Sequence, residues 1–188
     1  MPLDGIDTAL NEPVALRRVR LVVAYDGRGF RGFAINHQVR TVMGVLTDAL
    51  STITRHPVEL AGAGRTDAGV HGWGQVVSGD IPADADLTGV VRRANAMCGP
   101  EVVVRSAEWA GDTFHARFSA LWRHYRYTVL NAAQPNPFLE ATAWRMHRPL
   151  SLPAMQLACD PLIGEQDFTS FCRVPDRDPD QPPPSMHR

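Results

Sequence analysis

Asp67 is the residue whose sequence surroundings are best suited to chemistry. It lies in the segment Gly-Ala-Gly-Arg-Thr-Asp-Ala-Gly at 62–69, with Arg65 two residues before it. Glycines allow positive φ angles and the close approach of another backbone or a ligand, so the segment predicts a tight loop. A nearby arginine favours the charged form of a carboxylate, and an oriented carboxylate can act as a nucleophile or a base. An aspartate that only hydrogen-bonds its own turn is the alternative, and the residue types alone leave both open.

A dinucleotide site is a second possibility for this loop, because Gly62 and Gly64 begin the pattern G-x-G-x-x-G. The third glycine would stand at position 67, which Asp67 occupies. A carboxylate there would repel a pyrophosphate, and no long helix pattern follows the loop. The spacing therefore excludes this reading.

The composition narrows the function classes further. All 19 basic residues among the 188 are arginines, which excludes Schiff-base chemistry and a P-loop lysine. Residues 17–126 carry 14 arginines and ten acidic residues, a mild excess that permits a polyanionic partner. The three cysteines form no C-x-x-C pair, so neither a zinc site nor a disulfide framework is predicted. With no signal peptide or transmembrane pattern at the N-terminus, we expect a cytoplasmic protein.

The pattern of apolar residues predicts the elements that position the loop. Strand-like alternation runs from Val19 to Tyr25, and a helix capped by Thr41 follows, with its apolar stripe at 42–53. Strands are predicted at 58–61 and 73–80, on either side of the loop. A second helix at 87–98 and a strand at 102–109 complete the order β-α-β-β-α-β. This order predicts an α+β fold of the ferredoxin-like, or RRM-like, type, with both helices on one face of the sheet.

Beyond this unit the pattern predicts strands at 123–130 and 142–146, a third helix starting at Ser151, and a short strand at 167–171. Residues 1–16 are interpreted as a disordered leader, 17–131 as the N-terminal domain with the Asp67 loop, and 132–173 as the start of a second half. Residues 174–188 contain five prolines and no apolar periodicity, and are interpreted as a tail.

Several segments together resemble the tRNA pseudouridine synthase A family. The most specific is the Asp67 segment continued by Val70-His71 and Gly74-Gln75-Val76. The other similar segments are Ala24-Tyr25-Asp26-Gly27 with Phe30 and Gly32-Phe33, then Thr113–Ser119 with Arg123–Tyr127, and Gly164–Phe171. The resemblance covers about residues 19–173.

The resemblance implies an isomerase that converts uridine to pseudouridine at positions 38 to 40 of the tRNA anticodon stem-loop. In this reaction the C1′–N1 glycosidic bond breaks, the uracil turns, and a C1′–C5 bond forms, with no metal and no cofactor. Asp67 matches the essential carboxylate of the family. Whether such a carboxylate attacks the sugar or removes the C2′ proton stays open. The partners implied are tRNA and a second copy of the chain in a homodimer.

The resemblance also suggests roles for other residues, each with a structural alternative. Arg65 would position Asp67 or anchor the loop. Tyr125 matches a tyrosine that stacks on the flipped target base, and it could equally be a core aromatic. Arg117, Arg123 and Arg126 would hold tRNA phosphates or form a solvated charged face.

Arg31 would hold RNA on the first turn, where the chain departs from the family. It has Phe33-Ala34-Ile35 where many members have a Trp-Gln pair. The four tryptophans, which show no interleaved basic pattern, are interpreted as core or edge residues.

Members of this family are longer, with a second ferredoxin-like half that completes the cleft and supplies an arginine for the essential carboxylate. Here the resemblance ends at about Cys172-Arg173, so we expect a truncated member. Three functions remain open at this stage. The chain is an active tRNA pseudouridine synthase, a non-catalytic RNA-binding module, or an inactive fragment of such an enzyme.

Overall fold

The computed structural model describes residues 14–171. They belong to two compact units, Met1–Arg123 and His124–Arg188. The proline-rich tail, Cys172 and most of the predicted leader lie outside the described residues.

The first unit contains four strands and two longer helices in the order β-α-β-β-α-β. These are β1 (Leu16–Tyr25), α1 (Val42–Thr54), β2 (Leu60–Gly62), β3 (Gly72–Pro82), α2 (Leu87–Cys98) and β4 (Val102–Trp109). A single 3-10 turn, Gly27–Gly29, follows β1.

Both helices begin at residues suited to capping. The Thr41 side chain accepts a hydrogen bond from the Gly44 amide, and Asp86 accepts from the amides of Thr88 and Gly89. These contacts satisfy amides that have no partner inside the helix. The helix starts predicted from the sequence are therefore confirmed.

The strands form one antiparallel sheet in the order β2-β3-β1-β4. Alternate residues of β1 are buried on one face, from Val19 to Tyr25. They share a single core with buried residues of both helices, among them Leu46 and Val90. Both helices thus cover the same face of the sheet, and the mixed α and β class predicted from the sequence is confirmed.

The opposite face of the sheet carries ion pairs. Arg18 is paired with Asp80 across β1 and β3, and Arg20 is paired with Glu108 across β1 and β4. The segment after β4 packs on this face through the Ala116 amide, which donates to the buried Ser78 hydroxyl at 3.0 Å.

The second unit is smaller and more exposed. It contains the parallel pair β5 (Val129–Asn131) and β6 (Trp144–Met146), followed by α3 (Leu152–Cys159) with Ser151 as its cap. The Asn131 side chain ties this unit together by donating to the carbonyls of Met146 and Arg148.

Two predicted strands differ from those in the structure. The strand at 123–130 is reduced to β5, because residues 123–128 have no strand partner within the described part, and a strand exists only through such pairing. Residues 167–171 form a bridge and a 3-10 turn, Thr169–Phe171, in place of a strand. The predicted boundary of the leader at residue 16 is also wrong, since Leu16 already belongs to β1.

In residues 14–171, no helix is long and apolar enough to cross a membrane.

Candidate active site

Asp67 lies at the tip of the loop that connects β2 to β3. Its side chain is exposed, and its carbonyl accepts a hydrogen bond from the Val70 amide at 3.2 Å. This hydrogen bond closes a four-residue β-turn over 67–70. Its third residue, Gly69, has a φ of +81°, which glycine adopts without strain. The turn thus presents the carboxylate to solvent.

Thr66, directly before Asp67, is held by two hydrogen bonds. Its hydroxyl lies 2.8 Å from the Tyr25 hydroxyl at the end of β1, and its carbonyl accepts from the Phe33 amide at 3.0 Å. Tyr25 and Phe33 are both buried in the core of the sheet, with ring centroids 5.6 Å apart. The residue that precedes the carboxylate is therefore anchored to the rigid part of the unit.

Glycines let the loop approach these aromatic rings closely. A Cβ atom at Gly72 would lie 2.3 Å from the Tyr25 ring, and one at Gly62 would lie 2.4 Å from the Phe33 ring. A Cβ atom at Gly27 would lie 2.0 Å from the Val70 carbonyl oxygen. All three distances are shorter than real contacts, so the absence of a side chain is what allows the two loops to pack.

The start of the loop is held by two polar side chains. Arg123 donates to the Ala63 carbonyl, from Nε at 3.1 Å. Gln75 on β3 donates from Nε2 to the Gly64 carbonyl at 2.9 Å. Arg123 therefore fixes the loop, which gives this predicted phosphate ligand a structural role as well.

Asp67 borders an open cleft of about 290 Å³ that separates its loop from the segment after β1. Arg65 and Arg31 line the same cleft, so the structure brings together three of the predicted site residues. Within residues 14–171, no hydrogen bond or salt bridge engages the Asp67 carboxylate. Arg65 is near the carboxylate without pairing to it, and its positioning role stays a prediction. The carboxylate and both guanidinium groups are available to a ligand in the cleft.

The turn after β1 carries its own charge cluster. Arg28 Nε lies 3.0 Å from both carboxylate oxygens of Asp26, and His71 Nδ1 lies 3.3 Å from the Asp26 carboxylate. The hydrogen bond from the Arg28 side chain lowers the pKa of the Asp26 carboxyl from 3.8 to about 2. Arg28 is thereby neutralised, whereas the neighbouring Arg31 has no acidic partner among the described residues.

This cluster predicts a pH-dependent contribution to stability. A carboxyl with a lowered pKa in the folded state stabilises the protein above its unfolded pKa, near 4, and loses that effect as the pH falls towards 2. Asp26→Asn keeps the capping oxygen but loses the ion pair. We expect the variant to be less stable than the original chain at pH 6, with the difference shrinking between pH 4 and pH 2. Urea unfolding across this range measures the difference, and Asp48→Asn on the exposed face of α1 serves as control. A difference that is constant with pH would contradict the assignment.

The remaining predicted residues are not among those that line the cleft. Arg117 is exposed in the first unit, with its guanidinium 5.7 Å from the Phe118 ring. Tyr125 and Arg126 belong to the second unit and are exposed, so Tyr125 is not a core aromatic in the described part. Their roles toward RNA stay predictions.

Sequence reasoning missed the residues that support the loop. Tyr25, Phe33 and Gln75 hold it through side chains or backbone, and their signal in the sequence is that they belong to segments that resemble the family. Trp73 was interpreted as a core or edge residue, and it is 81% exposed. No group of three or more histidines, cysteines or acidic residues close enough to bind a metal occurs in residues 14–171.

Comparison with known proteins finds relatives that carry a functional name. No protein-family model matches the chain. Three curated relatives carry the name tRNA pseudouridine synthase A. The protein from Alcanivorax borkumensis is 41% identical over 160 residues, which cover 85% of this chain and 60% of that protein. The Vibrio cholerae protein is 43% identical over 157 residues, which cover 84% of this chain and 60% of that protein. The Frankia casuarinae protein is 44% identical over 162 residues, which cover 84% of this chain and 58% of that protein. The chain spans about 60% of the length of these relatives.

Proposed function

We propose that this chain, whose predicted resemblance to the tRNA pseudouridine synthase A family is confirmed by those relatives, carries the catalytic loop of a tRNA pseudouridine synthase. The observation that carries the proposal is the exposed Asp67 carboxylate, on a loop anchored through Thr66 and bordering a cleft lined by two arginines. An exposed carboxylate on an anchored loop, in a cleft that arginines also line, suits chemistry at the anomeric carbon of a polyanionic substrate.

The reaction is an isomerisation that needs no oxidant or co-reactant. The C1′–N1 bond of a uridine breaks, the uracil turns, and a C1′–C5 bond forms. The hydrogen at C5 leaves as a proton, and N1 gains one, so atoms and electrons balance. Asp67 either attacks C1′ or removes the C2′ proton, and in both routes its carboxylate must reach the ribose of a base that has left the helical stack.

The arginines around the cleft favour RNA over a neutral ligand. Arg31 and Arg65 line the cleft without acidic partners within the described part of the chain, so both can contact phosphate oxygens. Each such contact adds a salt-dependent increment to RNA affinity. We assign Arg117, Arg123 and Arg126 as further phosphate contacts because of their charge, and Tyr125 as the stacking partner of the flipped uracil, as the resemblance implies.

The sheet type, the target uridines, the oligomeric state and the location are proposed from the resemblance to the family. The order β2-β3-β1-β4, with both helices on one face, supports a ferredoxin-like sheet. We propose uridines 38 to 40 of the anticodon stem-loop as targets, a homodimer as the working form, and the cytoplasm as its location.

The test follows tritium released from tRNA labelled at uridine C5, because bond formation at C5 expels that hydrogen. Two proteins are assayed. One is the chain itself, and the other is a chimera in which it replaces the matched 157 residues of the Vibrio cholerae relative. We expect release from at least one protein with ordinary tRNA, and none when uridines 38 to 40 are replaced by cytidine. Binding of tRNA by both folded proteins without release from either would overturn the proposal in favour of an RNA-binding module.

A further inference from the structure

Two β-bulges lie on either side of the same stretch of β1. On β3, Gly72 pairs with Tyr25 and Gln75 pairs with Val23, so Trp73 and Gly74 together stand opposite Ala24. On β4, Ser106 pairs with Val22 and Val104 pairs with Val23, so Arg105 is an extra residue. Bulges are frequent beside active sites, where they redirect side chains.

The two bulges are linked to one another across β1. Arg105 donates from Nη1 to the Trp73 carbonyl at 2.8 Å. The helices fill one face of the sheet, so this guanidinium crosses β1 on the opposite face, where Val22 and Ala24 are only half-buried. The bond holds the Arg105 guanidinium at the Trp73 backbone.

Trp73 is an exposed residue between two glycines. It is 81% exposed, and the residues on either side of it are Gly72 and Gly74. It stands six positions after Asp67, at the end of the same loop. An indole exposed at a fixed backbone position offers a flat apolar surface at a small cost in ordering.

Arg105 lies in the same sheet as two arginines that are ion-paired. Arg18 and Arg20, on the same face, are each paired with an acidic residue. In the described part of the chain, Arg105 makes no ion pair. An exposed aromatic side chain, with an unpaired guanidinium bonded to its own backbone, supplies the two groups that bind single-stranded nucleic acid, a ring for the base and a cation for the phosphate.

We infer that Trp73 and Arg105 form a second RNA contact, a stacking site for one unpaired nucleotide of the tRNA, outside the cleft that holds the target uridine. RNA as the partner rests on the proposed function. The site contributes to tRNA affinity and to the position of the bound tRNA, and it takes no part in the bond changes at C1′.

The test measures the Kd for a labelled tRNA transcript, with kcat and KM from the tritium assay on the same preparations. We expect Trp73→Ala to weaken binding by about 5- to 150-fold, the range that loss of one base–aromatic stack gives. The kcat value should stay unchanged. Trp73→Phe should recover most of the affinity, because it keeps a ring. Arg105→Ala should reduce the slope of log affinity against log salt by about one.

Trp122→Ala is the matched control, since Trp122 is 76% exposed in the same unit and, within residues 14–171, no arginine side chain donates to its backbone. Thermal unfolding of each variant shows that it is folded. Unchanged affinity in Trp73→Ala, or equal losses in Trp73→Ala and Trp122→Ala, would overturn the inference. Failure of the proposed function appears differently, as tRNA binding by the original chain and the chimera without tritium release from either.

Discussion

Replacing Asp67 by asparagine is expected to slow pseudouridine formation by about 10²- to 10⁴-fold, the usual contribution of one acid, base or nucleophile. Asparagine has nearly the same shape but cannot attack a ribose carbon or accept its proton. The measurement is nucleoside chromatography of digested tRNA, with Asp67→Asn made in both the chain and the chimera. The effect should fall on kcat, with the Kd for tRNA nearly unchanged.

The structure separates this effect from a loss of folding. The Asp67 side chain is exposed and makes no polar contact within residues 14–171, so the free energy of unfolding should change by less than about 0.5 kcal/mol. Asp84→Asn, at an exposed acid outside the site, is the matched control and should keep full activity. Asp67→Asn with the rate of the original protein would show that Asp67 belongs only to its turn.

Gly27→Ala is expected to damage the site from a distance. A methyl group there would lie 2.0 Å from the Val70 carbonyl oxygen and 2.9 Å from the Gly69 carbonyl carbon. Both are backbone atoms, so the turn after β1 and the Asp67 loop must move apart. We expect a loss of about 1–3 kcal/mol in the free energy of unfolding, as for other overpacked sites. A shift of about 1 Å at the carboxylate would cost about 100-fold in rate.

Gly111→Ala is the matched control, because a Cβ atom at Gly111 meets nothing within 4 Å. Urea unfolding and the pseudouridine assay are run on both variants, at a temperature where both are folded. If Gly27→Ala matched Gly111→Ala in stability and rate, the loop–loop contact would not be what positions Asp67.

Local patterns were sufficient to predict most of the first unit. The apolar stripe of α1, its capping residue Thr41 and the apolar pattern at 87–98 are properties of neighbouring residues, and both helices begin where these predict. The glycine-rich segment predicted the loop and the position of Asp67 for the same reason. The strand at 123–130 was wrong because a strand depends on a partner that no local pattern reveals.

The support of the site depends on long-range contacts that the sequence does not encode locally. Gly27 packs against Val70, and Thr66 meets Tyr25 and Phe33, across 33 to 43 positions of the chain. Trp73 lies in a bulge, which is a property of strand register, and it is 81% exposed. Residue types alone predict a core or edge position for this tryptophan, and its exposure rules out the core position.

The most direct test of the central claim, that Asp67 performs chemistry at uridine, is a time course of tritium release from tRNA labelled at uridine C5. The chain and the chimera are each compared with their Asp67→Asn variants at equal tRNA occupancy. The structure predicts release that tracks pseudouridine formation and falls by at least about 100-fold in the variants. Equal release with and without the Asp67 carboxylate, or no release from either protein when tRNA is bound, would contradict the claim.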